Sequence, residues 1–129
     1  MLGWGHLLKT AAMSLLLCYS SSSLAGTIAR VWHGKTRNEQ AAAYARYLDS
    51  QIQSFNKIPG NRGFTLFREV VGNETHFMVI SYWDSLEAVR GLTGNDIHAV
   101  HPLPRDAEFL LNPESTVMNY EIVDDKHGP

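Results

Sequence analysis

Two histidines and one tryptophan have the side-chain chemistry to act on a small organic molecule. His33 and His76 carry imidazoles that titrate near neutral pH, so either could remove a proton from a bound ligand. Trp83 offers a large amphipathic ring that could line a pocket. We therefore predict His76, Trp83 and His33 as catalytic residues. The alternative is that each imidazole is a hydrogen-bonded structural or surface group and that Trp83 closes the end of the core.

Other aromatic and basic side chains could hold the same ligand. Trp32 lies in an alternating apolar stretch, and Tyr44 and Tyr47 lie about one helical turn apart. Arg68, in the middle of a predicted strand, could pair with an anionic group or with an acidic side chain across a hairpin. We predict a substrate-binding set of Trp32, Tyr44, Tyr47, Arg68 and Tyr82.

A metal site is a further hypothesis at His98-x-x-His101. The two imidazoles have helical spacing and lie close to Asp96. Pro102 and Pro104 follow at once and interrupt a helix, and the segment offers no clear third ligand. We predict no metal site.

The pattern of residues 76–83 predicts where Trp83 lies in the fold. Its bulky side chains alternate between two faces, which is typical of a strand that is covered on both sides. The period changes at the capping-box pattern of residues 84–87, Asp-Ser-Leu-Glu, which predicts that a helix begins at Asp84. Trp83 is therefore expected at the last position of a strand, where a helix turns away.

The remaining elements follow from the same two patterns, alternation of side chains in strands and a repeat of three to four residues in helices. A strand is predicted over 27–33, and the capping box of residues 36–39 predicts a helix that begins at Thr36 and runs to about Asn56. Strands are predicted over 64–71 and 115–123, and a short helical turn over 95–101. Residues 108–111 are interpreted as a short apolar anchor.

The order strand, helix, strand, strand, helix, strand predicts an α+β, ferredoxin-like βαββαβ fold. Its four-stranded antiparallel sheet has both helices on one face. Every strand carries large apolar residues in both alternating sets, so the second face also needs a cover. A second copy of the chain, packed sheet to sheet, is the simplest cover, and we predict a homodimer.

The first 25 residues differ from the rest. Residues 11–19 form an apolar run too short to cross a bilayer, and Ser23-Leu24-Ala25 fits a signal-peptidase site. We predict a signal peptide at 1–25, one domain at 26–124 and a polar tail at 125–129, with a periplasmic or secreted location and no stable membrane span after cleavage. The alternative is an over-extended start before a cytoplasmic domain. Cleavage removes Cys18, the only cysteine.

Composition excludes some partners. The formal net charge is −2 with no basic run, so a nucleic-acid partner is not expected. An apolar fraction of 44% is typical of a globular domain.

Six segments together resemble the antibiotic biosynthesis monooxygenase domain, a dimeric α+β barrel. They are residues 28–34 (IARVWHG), Tyr44 with Tyr47, 59–63 (PGNRG), 75–77 (THF), 81–85 (SYWDS) and 117–123. The resemblance covers about residues 27–123. It implies a small aromatic or hydrophobic ligand and supports the predicted dimer.

The resemblance implies two functions. Family members include cofactor-independent oxygenases that oxidise phenols or quinols with dioxygen, and enzymes that bind and degrade haem. Trp83 matches a tryptophan important in both groups. Val79 and Val89 stand where some phenol oxygenases carry Asn and Tyr. His98 or His101 lies roughly where haem degraders carry a His, but the first strand lacks their Asn.

The function expected from this resemblance is a monooxygenase that uses dioxygen and no cofactor to oxidise a small phenolic or quinol-type aromatic. The alternative is a non-catalytic, haem-binding or haem-degrading protein of the same fold, with haem as the cofactor.

Overall fold

The computed structural model describes residues 27–128. Its strands and helices are β1 (Ile28–Arg37), α1 (Asn38–Ile52), β2 (Asn61–Val71), β3 (Glu74–Trp83), α2 (Leu86–Thr93), α3 (Asp106–Phe109) and β4 (Met118–Glu121), with a 3₁₀ turn at Gln53–Lys57 after α1. The antiparallel sheet has the order β2-β3-β1-β4. The predicted α+β, ferredoxin-like fold is confirmed.

The predicted signal peptide, residues 1–25, lies outside the described residues, and its cleavage stays a prediction. Within residues 27–128, none of the helices has the length and apolar character needed to cross a membrane.

The centre of the sheet is the long pairing of β1 with β3. Ile28 lies opposite Trp83 and Arg30 opposite Ser81, and the ladder continues to the end of β1. Side chains alternate between the two faces of a strand, so Ile28, Arg30 and Ser81 all point toward the helices. All three are buried.

The core has two clusters on this helix-facing side. In the larger, Tyr44, Leu48 and Ile52 of α1 pack over Phe77 and Val79 of β3. Their spacing of three and four residues along the chain is the apolar stripe that sequence periodicity indicates. The smaller cluster lies under α2 and contains Ile28, Trp83 and Val89.

The predicted start of the first helix is wrong. β1 continues through Arg37 because β3 offers pairing partners as far as Glu74. Thr36 is therefore a strand residue, fully buried, and its hydroxyl donates to the Arg37 carbonyl instead of capping a helix. The helix begins at Asn38 with no side-chain cap, and its α-helical part ends at Ile52, before the predicted Asn56.

The second helix also starts one residue later than predicted. Ser85 is the N-cap, and its hydroxyl accepts from the Ala88 amide at 3.1 Å. The Asp84 carboxylate instead accepts from Arg62 Nε at 2.6 Å. That ion pair fastens the end of β3 to the beginning of β2.

The segment after α2 differs most from the predictions. Residues 95–101 form turns and an isolated bridge between Ala99 and Thr116, where a helical turn was predicted. A short helix, α3, occupies part of the predicted apolar anchor. The last strand is shorter than predicted, because β1 pairs with β4 only over Ile28–Val31.

Ser85→Ala should lower the free energy of unfolding by about 1 kcal/mol, since the first turn of α2 loses its side-chain acceptor. Urea unfolding measures the change. Asp84→Asn is the matched control: it removes only a half-exposed ion pair and should cost about 0.5 kcal/mol or less. A larger cost at position 84 than at position 85 would contradict the assignment of Ser85 as the cap.

Candidate functional site

A pocket lies between the helix-facing side of the sheet and the elements that cover it. It encloses about 450 Å³ including its mouth, of which about 50 Å³ admits the centre of a water molecule. Most of the lining is apolar: Trp32, Leu48, Ile52, Phe55, Val79, Leu92, Leu103 and Val117. The polar groups are those of Arg30, Ser81, His101 and Asp106. An apolar cavity with a few polar groups is the usual form of a small-molecule site.

Arg30 contributes a buried cation to the floor of this pocket. Its side chain donates from Nη1 to the Ile97 carbonyl at 2.5 Å and from Nη2 to the Ala99 carbonyl at 2.6 Å. A longer bond of 3.3 Å reaches Oδ1 of Asn119. Burial lowers the pKa of the guanidinium to about 10, and the negative charge of Asp96, which raises the pKa, offsets part of this effect. Arg30 is therefore charged at neutral pH.

Ser81 links the pocket to the predicted catalytic tryptophan. Trp83 Nε1 donates to the Ser81 hydroxyl at 2.9 Å, and the Trp83 ring is fully buried against Ile28 and Val89. Ser81 lines the pocket and Trp83 does not. The Trp83 indole therefore reaches the pocket through its hydrogen bond to the Ser81 hydroxyl and packs in the cluster that includes the pocket residues Phe55 and Leu92.

Asp106 is held in place by α1. Burial raises the pKa of the Tyr44 hydroxyl, and the Asp106 charge and hydrogen bond act in the same direction. Tyr44 therefore stays protonated and donates to Asp106 Oδ1 at 2.9 Å, while Oδ2 accepts from the Leu103 amide at 2.9 Å. Both carboxylate oxygens are thus occupied.

Tyr47 contacts α3 and the residue before it from outside the pocket. Its hydroxyl accepts from the Arg105 amide at 2.9 Å, and the Arg105 guanidinium lies 5.4 Å from the centre of its ring. The guanidinium also lies 5.2 Å from the ring centre of Phe109. The Tyr47 hydroxyl and ring therefore hold α3 against α1.

His101 supplies the imidazole of the pocket. It is exposed and lies at the mouth, with its ring edge-on to Phe55 at a centroid distance of 5.9 Å. His98 does not line the pocket, and its Nδ1 lies 3.0 Å from the Val117 carbonyl. Among residues 27–128, no three His, Cys, Asp or Glu side chains are grouped closely enough to hold a metal ion.

The structure places the other predicted histidines elsewhere. His33 and His76 line a second cavity with Lys35. Nδ1 of His33 lies 3.5 Å from Glu114, and Nε2 of His76 lies 3.2 Å from Glu74. Neither imidazole reaches the pocket of Arg30 and His101, and the assignment of either as the base stays a prediction.

The predicted substrate-binding residues divide in the same way. Trp32 lines the pocket. Tyr82 lies on the opposite face of the sheet, with its hydroxyl 3.2 Å from Thr65 Oγ1, and Arg68 is exposed on β2. Tyr44 and Tyr47 lie behind the pocket, where they hold its cover.

Sequence reasoning missed Arg30, Ser81 and Asp106. One signal was available for Arg30: it stands between Ile28 and Trp32 in an otherwise bulky apolar row, and a charge in such a row is seldom free of a specific role. Asp106 had no comparable signal, because its partner Tyr44 is 62 residues away.

Comparison with known proteins agrees with this architecture. Residues 28–100 match the family model of antibiotic biosynthesis monooxygenases. Comparison with curated proteins gives no match.

Three solved structures share the fold. A Nitrosomonas europaea protein of unknown function has a TM-score of 0.58 at 19% identity and covers 83% of this chain and 99% of its own. A Bacillus cereus protein provisionally named as an antibiotic biosynthesis monooxygenase has a TM-score of 0.56 at 14% identity, covering 80% and 100%. The Mycobacterium tuberculosis haem degrader MhuD, with two haems in its active site, has a TM-score of 0.55 at 19% identity, covering 78% and 99%.

Gly34→Ala should disturb the pocket through Trp32. A Cβ at position 34 would lie 2.6 Å from Trp32 Cζ2, so the indole must move. We expect a loss of about 1–3 kcal/mol in the free energy of unfolding, measured in urea. In a Trp32→Leu background the same change should cost far less, because the clashing ring is absent. An equal cost in both backgrounds would exclude this contact as the cause.

Proposed function

The chain belongs to the antibiotic biosynthesis monooxygenase family, and on that premise we propose that it oxidises a small phenolic or quinol-type aromatic with dioxygen, without flavin or metal. In such a reaction the ionised substrate gives electrons to dioxygen. One oxygen atom enters the substrate and the other leaves as water. The protein must bind the ring away from bulk water and accept a proton.

The size of the pocket is the observation that carries this proposal. Space for the centre of a water molecule is about 50 Å³, room for only a few waters, which is the scale of one aromatic ring. Trp32, Phe55 and Val79 offer apolar surfaces to such a ring. Because most of this lining is apolar, it suits the separation of a reactive anion from solvent.

We propose His101 as the group that accepts the substrate proton. It is the imidazole that lines this pocket within residues 27–128, and its place at the mouth lets it pass the proton on to water. Trp83 then acts as a positioning residue, since its indole N–H fixes the Ser81 hydroxyl that faces the pocket.

Haem binding is the second candidate, and His101 favours it. An imidazole that follows α2 and lines the pocket is a chemically suitable haem ligand. A tetrapyrrole is much larger than the present pocket, however, and the residues as they stand do not fit it. The described structure therefore supports the single-ring substrate better.

Dioxygen consumption by the purified protein, tested against hydroquinones and anthrone-like phenols, measures the proposed activity. We expect saturable uptake that falls by about a hundred-fold or more in His101→Gln, because the proton acceptor is lost. No uptake with any substrate of the panel would contradict the oxygenase proposal, and a haem titration would then test the second candidate.

His33→Gln and His76→Gln are the matched variants in this assay. Each removes one imidazole that is paired with a glutamate outside the pocket. Uptake that persists in both and is lost in His101→Gln assigns the base to His101. Uptake that persists in His101→Gln and is lost in His33→Gln or His76→Gln would instead assign the base to that histidine, as the sequence predicted.

We also propose that two copies of the chain pack through the face of the sheet that the helices leave open. This face carries Phe67, Met118 and Tyr120, which are 43%, 48% and 54% exposed, beside the less exposed Met78 and Ile80. Such a contiguous apolar surface is costly in water. A second sheet of the same kind is a complementary cover.

Sedimentation equilibrium of the described domain should show a dimer at micromolar concentration. Met118→Lys should shift the equilibrium toward monomer, since it buries a charge in the proposed contact. Val70→Lys is the control, because Val70 is 66% exposed and lies on the opposite face of the sheet. A monomeric unmodified protein, or equal effects of the two variants, would overturn the dimer.

A further inference from the structure

We propose that Arg30 is the anion-binding group of the pocket and that the ligand is an aromatic anion, a single ring that carries a carboxylate or an ionised hydroxyl. The inference deepens the proposed function by naming the substrate class. It rests on that proposal only for the choice of pocket.

The first argument is that no carboxylate is in contact with the Arg30 guanidinium, although the Asp96 charge acts on it from a greater distance. The residue is 4% exposed, and its three hydrogen-bond acceptors, two carbonyls and an amide oxygen, are neutral. Among residues 27–128, no carboxylate lies within 4.0 Å of the guanidinium. A buried cation in this state is costly, and an anion brought into contact with it would be stabilised.

The second argument is that some N–H groups of the Arg30 guanidinium make no hydrogen bond and could bind a ligand. A guanidinium has five N–H groups. Within the described part of the chain, Nε makes no hydrogen bond and Nη2 makes one of the two that are possible. Nε and Nη2 together form the fork that recognises the two oxygens of a carboxylate, or one phenolate oxygen.

The third argument is the surroundings of this charge. Trp32 lies two residues along the same strand, and Val79 lies opposite Trp32, so apolar surface for a ring adjoins the guanidinium. The Ser81 hydroxyl lies on the strand position opposite Arg30 and adds a neutral polar group. A ring with one anionic substituent matches this arrangement of one cation beside an apolar wall.

Asp106 is the competing charge in the pocket, and it is already engaged. Its two oxygens accept from Tyr44 and Leu103, and Asp96, not Asp106, is the carboxylate whose charge acts on Arg30. The pocket therefore has a cationic part at Arg30 and a separate anionic part at Asp106. The anionic oxygen of a ligand would be oriented toward Arg30.

The opposing interpretation is that Arg30 serves only to fasten the segment 97–99 to the sheet. Asn119 separates the two interpretations, since it belongs to the same hydrogen-bond cluster. Its Oδ1 accepts from Arg30 and its Nδ2 donates to the Ile97 carbonyl at 2.9 Å. Asn119→Ala weakens the fastening and leaves the cation in place, whereas Arg30→Gln removes the cation.

The first experiment uses the unmodified ¹⁵N-labelled protein and paired neutral and anionic probes. Benzoate is compared with benzamide, and 4-nitrophenolate with 4-nitroanisole, under mildly alkaline conditions in which the nitrophenol is ionised. Titrations follow the Arg30 Nε–H and Trp32 Nε1–H resonances. We expect at least one anion to bind about ten-fold more tightly than its neutral partner and to shift both resonances. A preference for benzoate indicates a carboxylate, and one for nitrophenolate indicates an ionised hydroxyl.

The second experiment repeats the titrations with the variants. The preference for the anion should disappear in Arg30→Gln, fall in Arg30→Lys, and persist in Asn119→Ala. Equal binding of both members of each pair by the unmodified protein would overturn the proposal, as would an anion preference that survives in folded Arg30→Gln. If Arg30→Gln does not fold, the titrations of the unmodified protein and of Arg30→Lys still decide the question.

The outcome is separable from that of the oxygenase proposal. Benzoate is not a phenol, and its binding involves no dioxygen. Anion preference without dioxygen uptake would leave the role of Arg30 standing and contradict the oxidation chemistry alone. Uptake of dioxygen without anion preference would support the oxidation chemistry and contradict the proposed role of Arg30.

Discussion

The pairing of β1 with β3 is the constraint on which the rest of the structure depends. Ten consecutive residues of β1, from Ile28 to Arg37, lie opposite β3 without a bulge. Side chains alternate along both strands, so this register decides which of them face the helices. A slip of β1 by one residue would turn Arg30 and Trp32 to the other side of the sheet and remove them from the floor of the pocket.

Polar contacts hold the cover of the pocket, and the same residues line its interior. The Arg30 guanidinium binds the carbonyls of Ile97 and Ala99, and Asp106 binds Tyr44. The polar groups of the site and the ordering of the segment that closes it are therefore coupled. A ligand that contacts Arg30 would act on the cover as well, because one side chain serves both.

The two faces of the sheet have separate roles. The helix-facing side holds the core and the pocket, and the opposite face carries the exposed apolar residues of the proposed dimer contact. His33 and His76 lie in their own cavity away from the pocket, and His101 reaches the mouth from the segment after α2. The chain belongs to a family that includes both oxygenases and haem degraders, and the size and charge of the pocket are the basis on which we propose a small aromatic substrate.

The sequence by itself determined the order of the four strands and the two longer helices, the fold class, the apolar stripe of α1 and the two apolar faces of the sheet. These follow from local periods of two and of three to four residues, which a linear chain displays directly. It also placed Trp83 at the end of β3. The predicted start of α1 was wrong because pairing with β3 extends β1 through Arg37. Here the long-range hydrogen bonds of the sheet override a local capping pattern.

Only the tertiary structure decided the site. Arg30 meets its acceptors across 67 and 69 residues of chain, and Tyr44 meets Asp106 across 62. His101, not His33 or His76, enters the pocket because the path of the 95–117 segment brings it there. Such contacts depend on which distant segments pack together, and no local period of the sequence records that.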